Sequence, residues 1–353
     1  YNIKEMKTKL IIPILALCGL AAAPDADACS RVLYSGDTLH TDTTLYIVGR
    51  SLDWSTPIPT NIFVYPRGMK KESNNKGKII TWTSKYGAVY AAGYNAGVTE
   101  GMNEKGLVVN GLFCRGTVYN SPAQEDKPEM SLAVIVAWLL DQYATTQEVV
   151  DAVRNQDFKV VGATFDGGTV STLHWGVTDA KGNTAILEFH DGKLNIYQGD
   201  YPVLTNDPTF PQMLAINDYW VGVGGANMLP GTVKSPDRFA RGYFFDTNVE
   251  KTNDADTGLA IIRSILNNVS VPYKYSKGDK NLSQTQWRSF ANLRDKRYYF
   301  QNVTDLGIYY VDLNKCDLRK GASVLYFDTQ KATYAIGDIT SQMVKSAPFT
   351  PMY

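Results

Sequence analysis

The chain reads as an α+β layered protein, with antiparallel sheets covered by helices. Three observations predict that class. Short runs rich in β-branched and aromatic residues alternate with Gly, Pro and Asn along the first hundred residues. An Asp-Gly pair suited to a tight hairpin joins two later runs, and a few well-signalled helices interrupt the strand pattern. With 44% hydrophobic and 20% charged residues, the 353-residue chain can bury a sizeable core and does not read as disordered. No Pro/Ser/Gly-rich linker or charged tract divides residues 29–353, and no repeat of 20–50 residues is apparent, so they are expected to form a single domain.

The early strands fall at 44–50, 61–65, 79–83 and 107–114. Residues 132–140 are uninterruptedly apolar, too short for a membrane span, and predict a helix buried against a sheet. Thr145-Thr146-Gln147-Glu148 resembles a capping box, with Val149, Val150 and Val153 as the apolar face of the helix it opens. Strands at 184–189 and 194–198 flank His190-Asp191-Gly192-Lys193. Ser235-Pro236-Asp237 has the N-cap and first-turn proline of a helix carrying Arg238 and Arg241, and a further helix runs near 259–266. Tyr298-Tyr299-Phe300 and Tyr309-Tyr310 read as strand packing, Gly222-Val223-Gly224-Gly225 as a turn. Core packing is the default for Trp54, Trp82, Trp138, Trp175 and Trp220, with an apolar acyl or steroid pocket as the alternative.

Composition removes several function classes. Lys+Arg and Asp+Glu balance at 35 each, so no phosphate-neutralising surface is expected and nucleic acid is not an expected partner. His40, His174 and His190 are widely spaced, without HExxH or paired CxxC, and neither a metal nor a cofactor is expected.

Residues 1–28 read as a leader. After five upstream residues, Met6-Lys7-Thr8-Lys9 precedes an apolar run from 10 to 23, and Ala26-Asp27-Ala28 supplies a small-x-small cleavage signal. Pro13 and the abrupt Pro24-Asp25-Ala26-Asp27 count against a buried N-terminal helix. The expectation is a secretory signal peptide, export to a bacterial periplasm or the medium, and a mature chain that begins at Cys29. Charge balance survives the cut, since Lys4, Lys7 and Lys9 leave with Glu5, Asp25 and Asp27. Cys18 also leaves, so Cys29, Cys114 and Cys316 form an odd set in an exported protein, and a Cys114–Cys316 bridge is left open.

A cysteine released as residue one combines a strong thiol nucleophile with an α-amine whose reference pKa of about 7.7–8.0 suits proton shuttling. It needs no histidine, and the three histidines lack a motif. The competing reading is lipid attachment, because bacterial lipoprotein signals also end at Cys. Those signals favour a leucine-like residue three positions earlier and uncharged residues between, whereas Ala26, Asp27 and Ala28 stand here.

Five ordered blocks then carry a family resemblance: Cys29-Ser30-Arg31; Gly49-Arg50-Ser51-Leu52-Asp53; Glu100-Gly101-Met102-Asn103-Glu104-Lys105-Gly106-Leu107; Leu204-Thr205-Asn206-Asp207-Pro208-Thr209-Phe210; and Leu229-Pro230-Gly231 followed by Ser235-Pro236-Asp237-Arg238-Phe239. The chain resembles the choloylglycine hydrolases, which include bile salt hydrolases and penicillin V acylases. The resemblance implies the N-terminal-nucleophile hydrolase fold, a four-layer αββα sandwich with two antiparallel sheets. It implies Cys29 as nucleophile, with Arg50 and Asp53 beside it. Asn206 matches the side-chain oxyanion donor, Phe113 stands where the family uses a backbone N–H as the second donor, and Arg238 matches the arginine supporting the nucleophile. From the residues alone, Arg50 and Asp53 would be a strand-end ion pair and Asn206 a turn residue, while Arg241 reads as a helix-surface or ion-pair residue.

Two departures accompany the match. Where bile salt hydrolases commonly carry Gly-Leu-Asn and penicillin acylases a Tyr, this chain has Gly111-Leu112-Phe113, which keeps the backbone donor but not an Asn side chain. The segment from 217 to 228 is short where many relatives have a longer loop associated with subunit assembly, so a homo-oligomer is left open. The expected function is an exported amidase acting on glycine- or taurine-conjugated bile salts through a Cys29 thioester. The alternatives are a penicillin V or N-acyl-homoserine lactone acylase and, from a different class, a lipid-anchored binding protein without catalysis.

Overall fold

The computed structural model describes residues 28–39, 44–162, 164–165, 169–277, 280–281 and 283–353. The predicted leader through residue 27 and His40 lie outside the described residues.

Two large sheets dominate. The first has the order Val203–Leu204, Ala28–Ser35, Tyr46–Trp54, Gln284–Asn292, Arg297–Asn302, Tyr309–Asp312, Gly337–Asp338 and is antiparallel except for its last pair. The second is antiparallel throughout, in the order Lys193–Gly199, Thr184–His190, Leu173–Thr178, Val108–Phe113, Gly97–Asn103, Ala88–Gly93, Thr60–Tyr65, Val324–Phe327, Val344–Ser346. Helices α1 (Ile135–Gln142) and α2 (Thr146–Val153) pack on the second sheet, while α4 (Ser235–Asn248) and α5 (Ala255–Val269) pack on the first. Helix α3 (Phe210–Val223) lies against α4.

Strand alternation builds the layers. Along Ala88-Val89-Tyr90-Ala91-Ala92, residues 88, 90 and 92 enter the core under α1, and 89 and 91 enter the core between the sheets. Along the N-terminal strand, Leu33 faces the inter-sheet core, and Val32 and Tyr34 meet Phe239, Ile262 and Leu266 beneath α4 and α5. Successive side chains point to opposite faces, so a strand buried on both sides must be apolar at almost every position. That requirement fills three apolar layers between helix, sheet, sheet and helix: the αββα sandwich implied by the sequence resemblance.

Local signals held where they were physically complete. Thr145 Oγ1 accepts from the Glu148 N–H at 3.2 Å and Glu148 reaches back to the Thr145 N–H at 3.3 Å, a capping box. Asp191 and Gly192 take φ of 51° and 76°, as a two-residue hairpin requires. The helix predicted over 132–140 begins only at Ile135, because the Ala133 carbonyl accepts from the Val98 N–H and holds the preceding residues in a turn. The cap of α4 differs from the sequence expectation: Lys234 is the N-cap and Ser235 the first helical residue, since the Ser235 hydroxyl is engaged with Thr205 and the Asn206 N–H. Helix α3 was not predicted, although Gln212 bonded back to the Thr209 N–H, with Pro211 in the first turn, is a legible start. Cys114 and Cys316 are separate free thiols, and burial pushes Cys316 up to about 12.

Gly101 tests the inter-layer spacing. A Cβ there would run into the Val89 carbonyl and stand 2.9 Å from Leu140 Cδ1 of α1. Gly101→Ala is expected to destabilise the fold by about 1–3 kcal/mol. Urea unfolding checks this, and an unchanged midpoint contradicts the packing described.

Candidate active site

Cys29 sits in the strand Ala28–Ser35, paired with Leu52 of the neighbouring strand, and Arg31 is paired with Arg50. Cys29 and Arg50 are therefore diagonal neighbours. Three side chains engage the three polar groups of Cys29. Arg50 Nη2 donates to its Sγ at 3.5 Å, Asn206 Oδ1 accepts from its N–H at 2.8 Å, and Arg238 Nη1 donates to its carbonyl at 2.6 Å. In the uncut chain the Cys29 nitrogen is a peptide N–H; after cleavage it would be an amine carrying additional protons.

Arg238 comes from the first turn of α4. Its guanidinium also donates to Ser30 Oγ and Asn206 Oδ1 at 2.6 Å, and to the Val233 carbonyl at 2.8 Å. Because arginine only donates, it fixes which end of the Asn206 amide is oxygen. Asn206 Nδ2 is thereby turned to the Phe113 carbonyl at 2.8 Å, and it carries a second hydrogen that this bond does not use.

Backbone alternation aligns Phe113 with this donor. The Cys114 N–H bonds the Thr172 carbonyl on one edge of the strand, so residues 111 and 113 turn their backbone groups to the opposite edge. There the Gly111 carbonyl accepts from Arg50 and the Phe113 carbonyl from Asn206, at 3.0 and 2.8 Å. The Phe113 N–H points the same way, and the neighbouring Gly97–Asn103 strand pairs only as far as Asn110. The Asn206 amide thus meets the Phe113 backbone at the end of this strand, where Phe113 and Cys29 line one cavity.

Asp53 is fully buried and stands opposite Ala28 in register. Its oxygens accept from Thr285 and Ser51 rather than from the Cys29 nitrogen. Burial pushes its carboxyl above the usual range, with Arg238, the Thr285 hydroxyl and Arg50 acting against that rise. Burial likewise lowers Arg238, opposed chiefly by Asp53. The expected strand-end ion pair between Arg50 and Asp53 is not what anchors Arg50. Its ionic partner is Glu100, at 3.3 Å from Nε but without hydrogen-bond alignment, and Trp287 lies under the guanidinium at 4.5 Å.

Neither Glu100 nor Trp287 was singled out from the sequence. Glu100 lies inside a quoted motif block, yet only the fold brings Arg50, Asn110, Ser289 and Tyr298 around its carboxylate. Arg241 proves to be a loop tie, donating to the carbonyls of Pro230, Thr232 and Asn268 rather than forming an ion pair.

The thiol opens onto a cavity of about 330 Å³ walled by Trp54, Ile58, Tyr94, Val98, Phe113 and Leu132. Trp54 and Phe113 meet edge to face at 5.5 Å. A larger cavity of about 700 Å³ beside Tyr65, Trp82 and Phe349 contains no thiol in its lining. Among the described residues, Cys114, His174 and Glu188 place one donor atom each within 4.8 Å of one another, the spacing a metal could use. Both ring nitrogens of His174 are already bonded, to Glu188 and to the Thr205 carbonyl, which leaves no free lone pair for an ion.

The raised Asp53 carboxyl gives a pH test. Above its ordinary value of 3.8 and up to its raised folded value, the folded protein holds a proton that the unfolded chain has lost, so stability falls as pH rises through that window. Asp53→Asn is expected to flatten this slope in urea denaturation series. Equal slopes in the two proteins contradict the assignment.

Residues 29–334 match the model for linear amide C–N hydrolases of the choloylglycine hydrolase family. The chain is 33% identical to a penicillin V acylase of Pectobacterium atrosepticum, across 99% of this chain and 98% of that relative. It is 27% identical to a bile salt hydrolase/transferase of Clostridium perfringens, across 80% of this chain and 93% of that relative. The solved penicillin V acylase from Agrobacterium tumefaciens superposes with a TM-score of 0.83 at 34% identity, covering 92% of this chain and 99% of its own. This chain belongs to the choloylglycine hydrolase family of linear amide C–N hydrolases.

Proposed function

We propose that the chain is exported, is cut after Ala28, and acts as an acylase of the penicillin V type with Cys29 as its N-terminal nucleophile. The observation that carries the chemistry is the separate engagement of the Cys29 N–H, Sγ and carbonyl by Asn206, Arg50 and Arg238. The freed amine takes the thiol proton as sulfur attacks the amide carbonyl. The Asn206 amide and the Phe113 N–H receive the oxyanion, and the C–N bond breaks as the amine returns the proton to the leaving nitrogen. Water then attacks the thioester, losing a proton to the same amine, and releases the acid and the free thiol. Asp53, opposite the cut junction, would orient the new amine.

For the acyl group, support comes from the similarity to penicillin V acylases over nearly the whole chain and from the aromatic corner of Trp54 and Phe113. That corner suits a flat aromatic acyl chain. Conjugated bile salts, the substrate favoured from the sequence blocks, are the competing reading, and Phe113 lacks the polar side chain common at this position in bile salt hydrolases.

Turnover of penicillin V, taurocholate, glycocholate and an N-acyl-homoserine lactone by the mature protein separates these. The highest kcat/KM is expected for penicillin V; preference for either bile salt, or for the lactone, overturns the acyl assignment. Cys29→Ala is expected to abolish turnover with the fold intact, and Asn206→Ala to lower kcat about 10²–10³-fold. Intact mass of the exported protein should show an unmodified N-terminal Cys29, whereas added lipid would favour the anchored binding protein.

A further inference from the structure

The second sheet buries a charged cluster that the proposed amidase steps leave unused. His174 lies opposite Leu112 on one side, and the pairing of Trp175 with Leu187 sets it opposite Glu188 on the other. Cys114, just beyond the Val108–Phe113 strand, brings its sulfur to 3.8 Å from Glu188 Oε2. His174 and Glu188 are wholly buried, and Cys114 is 2% exposed.

The contacts of His174 dictate its protonation. Nδ1 meets Glu188 Oε2 at 2.8 Å and Nε2 meets the Thr205 carbonyl at 2.8 Å. A carbonyl only accepts, and Glu188 already accepts the Phe210 N–H at 2.8 Å and faces His190 Nε2. Each ring nitrogen therefore faces an acceptor, the arrangement that suits an imidazolium. Burial opposes that charge, while Cys114 and Glu188 favour it and prevail, raising His174 to about 10.

The carbonyl bound by His174 belongs to the peptide group joining Thr205 to Asn206. The N–H of the same group donates to Ser235 Oγ at 2.9 Å. A peptide unit is planar, so holding its oxygen from one side and its hydrogen from the other fixes the plane from which the Asn206 side chain departs. Glu188 also receives the first N–H of α3, which anchors the far end of the 204–209 segment.

We infer that His174 is a positioning residue, an imidazolium that bridges Glu188 and the Thr205 carbonyl and so aims the Asn206 amide at the carbonyl under attack by Cys29. The inference rests on the amidase reading of Cys29 and Asn206. It places a charge-locked hinge about one residue behind the oxyanion donor, out of contact with the acyl cavity.

The test combines a spectroscopic and a kinetic readout on the mature protein. In histidine-labelled wild type near neutral pH, NMR is expected to show both His174 nitrogens protonated; a neutral ring overturns the inference even if every variant fails to fold. His174→Leu is expected to lower kcat for penicillin V by about 10- to 100-fold, as a misaimed catalytic group does, with KM changed less than about twofold. Glu188→Gln leaves an Nε2–H for Thr205 and should cause a smaller loss in kcat. An unchanged kcat in His174→Leu, or an equal rise in KM, or equal damage from Glu188→Gln, overturns it. If Asn206→Ala leaves kcat intact, the amidase reading of Asn206 fails instead; if Asn206→Ala is crippled and His174→Leu is not, only the positioning role fails.

Discussion

The buried guanidinium of Arg238 ties together parts of the chain more than 200 residues apart. It donates to the Cys29 carbonyl, Ser30 Oγ, Asn206 Oδ1 and the Val233 carbonyl, so the N-terminal strand, the 204–206 segment and the start of α4 share one cation. Taking such a charge out of water is costly unless its donors are satisfied. Here the four acceptors are all neutral oxygens, and Asp53 supplies the countercharge through space. The geometry around Cys29 follows, because the same cation sets the orientation of the Asn206 amide and with it the partners of the Cys29 nitrogen and the Phe113 carbonyl.

The sandwich makes that arrangement affordable. Arg31 and Arg50 are buried where the two sheets meet, and Asn110, Glu100 and the Gly111 carbonyl offer them acceptors. An edge carbonyl such as that of Gly111 or Phe113 is free to serve a side chain because its strand loses its neighbour at that point. The break in pairing thus leaves the backbone groups of Gly111 and Phe113 beside the cavity that both residues line.

Much of this was legible in the sequence, and the limits have physical causes. The capping box at Thr145 and the Asp-Gly hairpin are local, complete within four residues, and were readable. The ordered motif blocks pointed to Cys29, Arg50, Asn206 and Arg238, which the fold gathers around the one cysteine. Partners supplied by distant strands were not readable. Glu100 meets Arg50 only through inter-sheet packing, Trp287 meets it as a diagonal neighbour on a strand far off in sequence, and His174 finds Glu188 only through a register that sequence spacing does not encode. Ser235 misled because its hydroxyl serves Thr205 and Asn206 instead of its own helix.

The central claim is that Cys29, with a free amine, carries the acyl group between amide and water. Acid-quenched mixing of mature protein with penicillin V, followed by peptide mass mapping, reads it directly. The account predicts a transient phenoxyacetyl thioester on the Cys29 sulfur, with the α-amine unmodified. Turnover without that adduct, or an acyl group found on another residue, would contradict it.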